Sequence, residues 1–230
     1  MNRKCKLGSI AMGLMLFLNV FAVTDVSAQD VLRQILNRMD QHNKSLTSLR
    51  ASVSMAKYNA QLGGDPDLVN GTAVYLPQKG RDALVRIDWV KPDESLSVVN
   101  KEYVLYRPRL AQAITGKVNG SKSKGTNNAL SFMNMSRDQL KANYSVRYLG
   151  EETVSSGTKT WHLELTPKLA TGFKSAELWV DGNGMPIQAK VIEKNNDSTT
   201  VLLSNLEKNV SINASVFRIN LPKGTKVIKS

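Results

Sequence analysis

The sequence offers few side chains whose types and spacing could perform catalysis or hold a metal. It contains two histidines and a single cysteine, Cys5. His162 and Glu164 are two residues apart in a strand-like segment, which would place both on one face of a strand. A zinc site needs further ligands, and no third ligand can be nominated from the sequence. A solvated or hydrogen-bonded strand face is the favoured interpretation, and we expect no metal.

No pattern typical of a catalytic site occurs in the chain. The sequence has no glycine-rich phosphate loop, no nucleophile elbow and no paired-histidine zinc motif. Asp93 and Glu94 are adjacent, but neighbours on a strand point to opposite faces, so they do not form an acid–base pair. The sequence therefore predicts a protein that is not an enzyme and that uses no cofactor.

The chain is basic, with 31 Lys and Arg residues against 19 Asp and Glu residues and a formal charge of +12. Such a charge suits nucleic acid or an anionic membrane surface as a partner. The basic residues are scattered, and the lysine-containing loop predicted at 116–128 lacks interleaved aromatic residues for base stacking. We expect no nucleic-acid partner, and weak attraction of this loop to lipid headgroups is the alternative to a solvated face.

Residues 1–28 have the three parts of a secretory signal peptide. A basic start at 2–6 precedes an apolar run at 10–23, and small residues end the segment at Ala28. A retained membrane anchor is the less favoured alternative, because the run is short of the ~20 apolar residues that a span needs. We predict cleavage after Ala28 and a single mature domain at 29–230 without disulfides.

The elements that would position any site are one amphipathic helix and about ten strands. Asp30 is the predicted N-cap of a helix of about fifteen residues, and 129–143 is a second helical region. Alternating apolar residues predict the strands 49–56, 68–76, 83–89, 95–99, 102–106, 144–149, 160–166, 173–181, 187–194, 199–206 and 210–219. Short strands without alternating long helices favour an antiparallel sheet or barrel.

Val85, Ile87 and Trp89 share one face of the strand predicted at 83–89. The pattern alone favours a plain hydrophobic core. The alternative is a curved sheet whose apolar side is closed by the amphipathic helices and forms an apolar cavity. Periodicity does not separate these two hypotheses.

Several segments, in a shared order and spacing, resemble the periplasmic outer-membrane lipoprotein carrier (LolA-like) family. They are 46–53 (LTSLRASV), 91–98 (KPDESLSV), 103–108 (YVLYRP), 163–168 (LELTPK), 178–184 (LWVDGNG) and 217–225 (FRINLPKGT). The resemblance implies a mainly β fold with α-helices: an unclosed antiparallel β-barrel, or half-barrel, whose concave apolar side the helices cover. It also implies a monomeric periplasmic carrier that passes acylated lipoproteins from an inner-membrane exporter complex to an outer-membrane receptor.

The resemblance also suggests roles for particular residues. Val85, Ile87 and Trp89 would form the wall of the lipid-binding cavity or the handover surface. Arg81 matches an arginine that contacts the helical lid in this family, although Ile187 stands where the family's partner histidine is expected. A carrier of another lipid, or a periplasmic sensor that binds a protein partner on the same fold, is the alternative. Such sensors usually carry a second domain, and the end of this chain soon after 217–225 favours the carrier.

Overall fold

The structure is a computed structural model that describes residues 27–118 and 135–229. It contains the helices α1 (Ala28–Ser45) and α2 (Arg137–Asn143) and the 3₁₀ helices Pro108–Leu110 and Ala214–Phe217. The strands of the described residues are β1 (Leu49–Tyr58), β2 (Asp67–Gln78), β3 (Arg81–Trp89), β4 (Glu94–Val99), β5 (Glu102–Arg107), β6 (Gln112–Lys117), β7 (Tyr144–Thr153), β8 (Lys159–Pro167), β9 (Phe173–Asp181), β10 (Pro186–Glu193), β11 (Ser198–Lys208) and β12 (Lys226–Lys229).

These strands form one unclosed sheet in the order β12-β6-β5-β4-β3-β2-β1-β11-β10-β9-β8-β7. Neighbouring strands are antiparallel, except that β12 runs parallel to β6. The terminal strands β12 and β7 do not pair with each other, so the barrel stays open. The predicted fold class, an unclosed antiparallel half-barrel with helices, is confirmed.

Most of the predicted strands are present, but three elements differ from the sequence-based expectation. The segment predicted as a strand at 210–219 contains the 3₁₀ helix Ala214–Phe217 instead, and β6 and β12 were not predicted. The second helix begins only at Arg137, and the start of its predicted range lies outside the described residues, as do residues 1–26 of the predicted signal peptide. The predicted loop at 116–128 also falls mostly outside them.

Helix α1 lies on one face of the sheet, which we call the inner face. Its N-cap is Ser27, not Asp30 as predicted, because the Ser27 hydroxyl accepts a hydrogen bond from the Asp30 backbone N–H. Ile35, Leu36 and Met39 form its buried stripe and pack in the main hydrophobic core. Within the described part of the chain, neither α-helix is long and apolar enough to cross a membrane.

The hairpin turn between β9 and β10, with the sequence Asp-Gly-Asn-Gly, lies directly against α1. Gly184 has φ of +84°, and a Cβ atom built there would overlap the Arg38 carbonyl group. The Arg38 guanidinium donates a hydrogen bond to the Gly182 carbonyl oxygen and lies 5.2 Å from the Trp161 ring centroid. The helix is thus fixed against both the turn and the inner face of β8.

The opposite, outer face of the sheet carries a smaller core beneath the 3₁₀ helix Ala214–Phe217. Phe217 packs there against Val74 and Leu84. The Arg86 guanidinium donates to the Val216 carbonyl oxygen at 2.7 Å and to the Asp88 carboxylate, while the Ser97 hydroxyl donates to the Phe217 carbonyl oxygen. The C-terminal segment therefore covers the outer face, and the α-helices cover the inner one.

Candidate functional site

The three nominated residues of β3 lie on the inner face of the sheet. Ile87 and Trp89 are only 1% and 8% exposed and belong to the main core, whereas Val85 is half-buried at its margin. The residues that line the two described surface grooves, of about 490 and 470 Å³, include none of the three. Two of the three nominated side chains are therefore core residues, and Val85 alone is accessible enough to meet a ligand directly.

The strand register extends this apolar face across β4, β5 and β6. Residues that lie directly opposite each other on neighbouring strands share a face of the sheet. Following these pairs from Ile87 and from Val85 across the strands gives two rows of residues on the inner face. We call them the inner apolar rows. Their half-buried apolar members are Tyr75, Val85, Val98 and Tyr103 in one row, and Ala73, Leu96, Leu105 and Ile114 in the other.

Burial decreases along these rows from β1 toward β6. On β1, the inward-facing residues Leu49, Ala51, Val53 and Met55 are all buried in the main core. On β4 to β6, the row members keep part of their surface exposed to solvent, and Val98, Leu105 and Ile114 are not part of that core. An apolar ligand on these rows would gain roughly 25 cal/mol for each Å² of apolar surface that it removes from water.

Sequence reasoning missed the row members on β4 to β6. The alternation at 95–99 and 102–106 predicted both strands, and the same alternation marks Leu96, Val98, Tyr103 and Leu105 as residues of one face. The pattern alone does not predict the strand register, which places these residues in the same rows as Val85 and Ile87. Ile114 was missed together with its strand, β6.

A polar row follows the apolar ones toward the end of the sheet where β3 ends. Glu94 on β4 lies opposite Trp89. The same row continues with Arg107 on β5 and Gln112 on β6, which are paired with each other. The Arg107 Nε atom lies 3.0 Å from the Glu94 Oε1 atom, and both side chains are partly buried. The inner face therefore changes from apolar to polar along the strands, as a site for an amphiphile requires.

Arg81 begins β3 and is exposed. It lines the groove of about 470 Å³ that also contains Leu84, Phe217 and Arg218, next to the 3₁₀ helix of the outer face. Among the described residues, none of those that line this groove comes from α1 or α2. Asp82, the next residue along the chain, approaches Lys101 at 3.7 Å. A contact between Arg81 and a helical lid stays a prediction.

The histidine and glutamate singled out from their spacing do not form a pair. Glu164 accepts two hydrogen bonds from the Arg147 guanidinium. His162 stacks on Trp179 with ring centroids 4.2 Å apart, and its two ring nitrogens lie 3.0 Å from Glu152 and 3.2 Å from Glu177.

These contacts tie three strands together on the outer face. No group of three or more possible metal ligands occurs within residues 27–118 and 135–229. The arrangement is that of a hydrogen-bonded strand face, as the sequence favoured.

Comparison with known proteins identifies one family. The sequence model described as "Outer membrane lipoprotein carrier protein LolA" matches residues 80–220. The comparison with curated proteins gave no match.

Two solved structures are similar in fold. An uncharacterised conserved protein from Thermus thermophilus has a TM-score of 0.55 at 16% identity, over 87% of this chain and 99% of the other. The Pseudomonas aeruginosa MucA/MucB complex contains a chain with a TM-score of 0.50 at 13% identity, over 81% of this chain and 60% of the other. At these identities the likeness concerns the fold alone.

Proposed function

Because this chain belongs to the LolA family of outer membrane lipoprotein carrier proteins, we propose that it binds the acyl chains of lipoproteins on the inner apolar rows. The single observation that carries this proposal is the half-buried apolar surface of β2 to β6, part of which lies outside the main hydrophobic core. An acyl chain gains about 0.8 kcal/mol for each CH₂ group that it buries. A carrier with such a surface would shield the acyl chains of a lipoprotein from water while it moves between two membranes.

The proposed cargo also has a polar part, which the face accommodates. Acyl chains would lie along the inner apolar rows, and ester or amide groups would lie near Glu94, Arg107 and Gln112. This orientation places both parts of an acylated protein against groups of matching polarity.

The proposed route follows from the family and from the sequence of the N-terminus. A signal peptide at 1–28 would direct the protein to the periplasm, where residues 29–230 would act as a monomeric carrier domain. The cargo would come from an inner-membrane exporter complex and go to an outer-membrane receptor. The proposed activity is carriage, with no covalent chemistry and no cofactor.

The proposal is tested by placing a polar group in the inner apolar rows. Leu105→Gln introduces an amide at a half-buried position in the middle of β5, where we expect about a tenfold weaker capture of a triacylated lipoprotein. Capture is measured by incubating the tagged protein with detergent-solubilised lipoprotein, removing the detergent and quantifying the co-purified cargo.

Val104→Gln is the matched control, because Val104 is the neighbouring half-buried residue on the outer face. Thermal unfolding followed by circular dichroism must show that both variants are folded. Equal capture by the wild-type protein and a folded Leu105→Gln variant would refute the inner apolar rows as the site. Val85→Glu extends the test to β3, whereas a substitution at the buried Trp89 would disturb the core itself.

A protein partner in place of a lipid is the second candidate function. The fold is shared with MucB, which forms a complex with MucA in a solved structure. A wild-type protein that captures no lipoprotein or other lipid, yet co-purifies with a stoichiometric protein, would favour this candidate or a sensor of the same fold.

A further inference from the structure

The exposed apolar side chains of this protein are concentrated at one end of the sheet. Eight large hydrophobic residues are exposed in the part of the chain that the structure describes, and seven of them lie at this end. We call these seven the apolar rim: Tyr58, Leu62, Leu68, Val90, Leu110, Leu169 and Val227.

The strand register places these residues at one end of the sheet, with the ends of β11 and β10 between Tyr58 and Leu169. Tyr58 ends β1, and Leu62 and Leu68 lie in or next to the connection from β1 to β2. Val90 follows the end of β3, and Leu110 and Leu169 lie in the β5–β6 and β8–β9 connections. The pairs that align these strand ends are Tyr58 with Ser198, Gly71 with Trp89, Ser95 with Tyr106, Lys226 with Gln112, Glu193 with Phe173, and Tyr144 with Pro167.

Six of the seven rim residues are more exposed than the eighth residue, and Tyr58, at 37%, is not. Leu62 and Leu169 are 84% and 80% exposed, whereas Leu149, in the middle of β7, is 41% exposed. Single exposed apolar residues are common on soluble proteins, but a series of them at one end of a sheet marks an interaction surface.

Positive charges accompany these apolar residues. Five of the seven have an exposed cation as a direct neighbour in the chain: Lys57 before Tyr58, Lys91 after Val90, Arg109 before Leu110, Lys168 before Leu169, and Lys226 before Val227. Leu62 and Leu68 are the exceptions, because their connection carries Asp65 and Asp67. Apolar side chains next to cations would suit a partner that has an apolar interior beneath a layer of negatively charged groups.

We propose that the apolar rim docks the protein on the surface of an anionic phospholipid bilayer. Leucine and valine side chains enter the boundary between headgroups and acyl chains, and the neighbouring lysines and arginines contact the phosphates. The β5–β6 and β8–β9 connections make the strongest contact, because each joins a leucine to a cation. This inference goes beyond the proposed cargo, since docking involves the empty protein and none of the inner apolar rows.

Vesicle flotation of the cargo-free protein tests the proposal. The complete reading frame is expressed, the protein is purified as its host processes it, and it is mixed with vesicles of phosphatidylglycerol and phosphatidylcholine or of phosphatidylcholine alone. We expect flotation with the anionic vesicles, weakened by 0.5 M salt. The double variant Leu110→Ser/Leu169→Ser should bind at least tenfold more weakly, and Lys91→Gln/Arg109→Gln about 25-fold more weakly, at about fivefold for each cation.

Leu149→Ser is the matched control, because it removes an exposed leucine away from the rim and should leave flotation unchanged. All variants must show the melting temperature of the wild-type protein, as expected for exposed positions. Absence of wild-type flotation, or an equal loss in the Leu149→Ser control, would overturn the proposal. If the wild-type protein instead forms a dimer that the double leucine variant abolishes, the rim is an interface between copies and the proposal is wrong. Neither result depends on lipoprotein capture, so the proposed function would be judged separately.

Discussion

His42 lies in the last turn of α1, where its Nε2 atom is buried and has no hydrogen-bond partner among residues 27–118 and 135–229. Burial lowers the pKa of His42 below its usual value, and the positive charge of Lys208 lowers it further, against an opposing effect of the Asp181 carboxylate. Lys208 and Asp181 approach each other at 3.5 Å where β11 and β9 end. A neutral His42 is thus part of the contact between α1 and the sheet.

This lowered pKa predicts a loss of stability on acidification. The folded protein binds fewer protons at His42 than the unfolded chain does, so the free energy of unfolding rises with pH between the lower folded pKa and the unfolded value of about 6.5. Stabilisation by His42 is therefore complete above about pH 6.5 and decreases below it.

Urea unfolding at pH 7.5 and pH 5.5 measures this effect. His42→Leu keeps an apolar side chain in place and should lose less stability between these pH values than the wild-type protein. An unchanged or larger loss in the variant would show that His42 is not the group responsible.

Residue by residue, the sequence predicted which side of β3 faces inward but not how deeply each side chain is buried. Alternation placed Val85, Ile87 and Trp89 on one face, and the structure agrees. Their burial depends on α1 and on strands remote in sequence, so Ile87 and Trp89 became core residues while Val85 stayed half-buried. The partners of His162 were equally unpredictable, because Glu152 and Glu177 reach it only through strand pairing.

Among the elements, the contact between α1 and the β9–β10 turn depends on a glycine. Alanine at Gly184 would adopt a left-handed conformation and place its Cβ atom against the Arg38 backbone. Gly184→Ala should lower the free energy of unfolding by about 2 to 5 kcal/mol, from the sum of backbone strain and overpacking.

Gly80→Ala separates the two causes. Gly80 has a similar φ of +67°, but nothing lies within 4 Å of a Cβ atom built there. Its variant should lose about 1 to 2 kcal/mol, from strain alone. Equal losses in the two variants, measured by urea unfolding, would contradict close packing of α1 on the turn.

Two of the three elements that sequence reasoning missed depend on distant partners, whereas the third, β6, pairs with the adjacent strand β5. Ile212, Val216 and Phe217 have the apolar content of a strand, but they pack across the outer face instead of pairing with a neighbour. β12 is a four-residue strand that pairs in parallel with the distant β6. Local alternation gives no signal for either arrangement, whereas the strands of the hairpins carry their own turn and pattern signals.

At the scale of the whole molecule, the open sheet separates three surfaces. α1 and α2 pack on the inner face, the C-terminal segment covers the outer face, and the apolar rim follows one end. Trp89 of the inner face is directly followed by Val90 of the rim, so the two surfaces are adjacent. A carrier docked at its rim would hold the inner face next to the membrane that gives or receives its cargo.

Native mass spectrometry of the wild-type protein tests most directly whether the inner apolar rows carry acyl chains. The protein is purified from its own host without detergent and measured directly, then again after incubation with detergent-solubilised triacylated lipoproteins and phospholipids. We expect a complex whose added mass is that of a lipoprotein, and we expect the Leu105→Gln variant to form far less of it. A bare protein mass in both measurements would contradict this expectation.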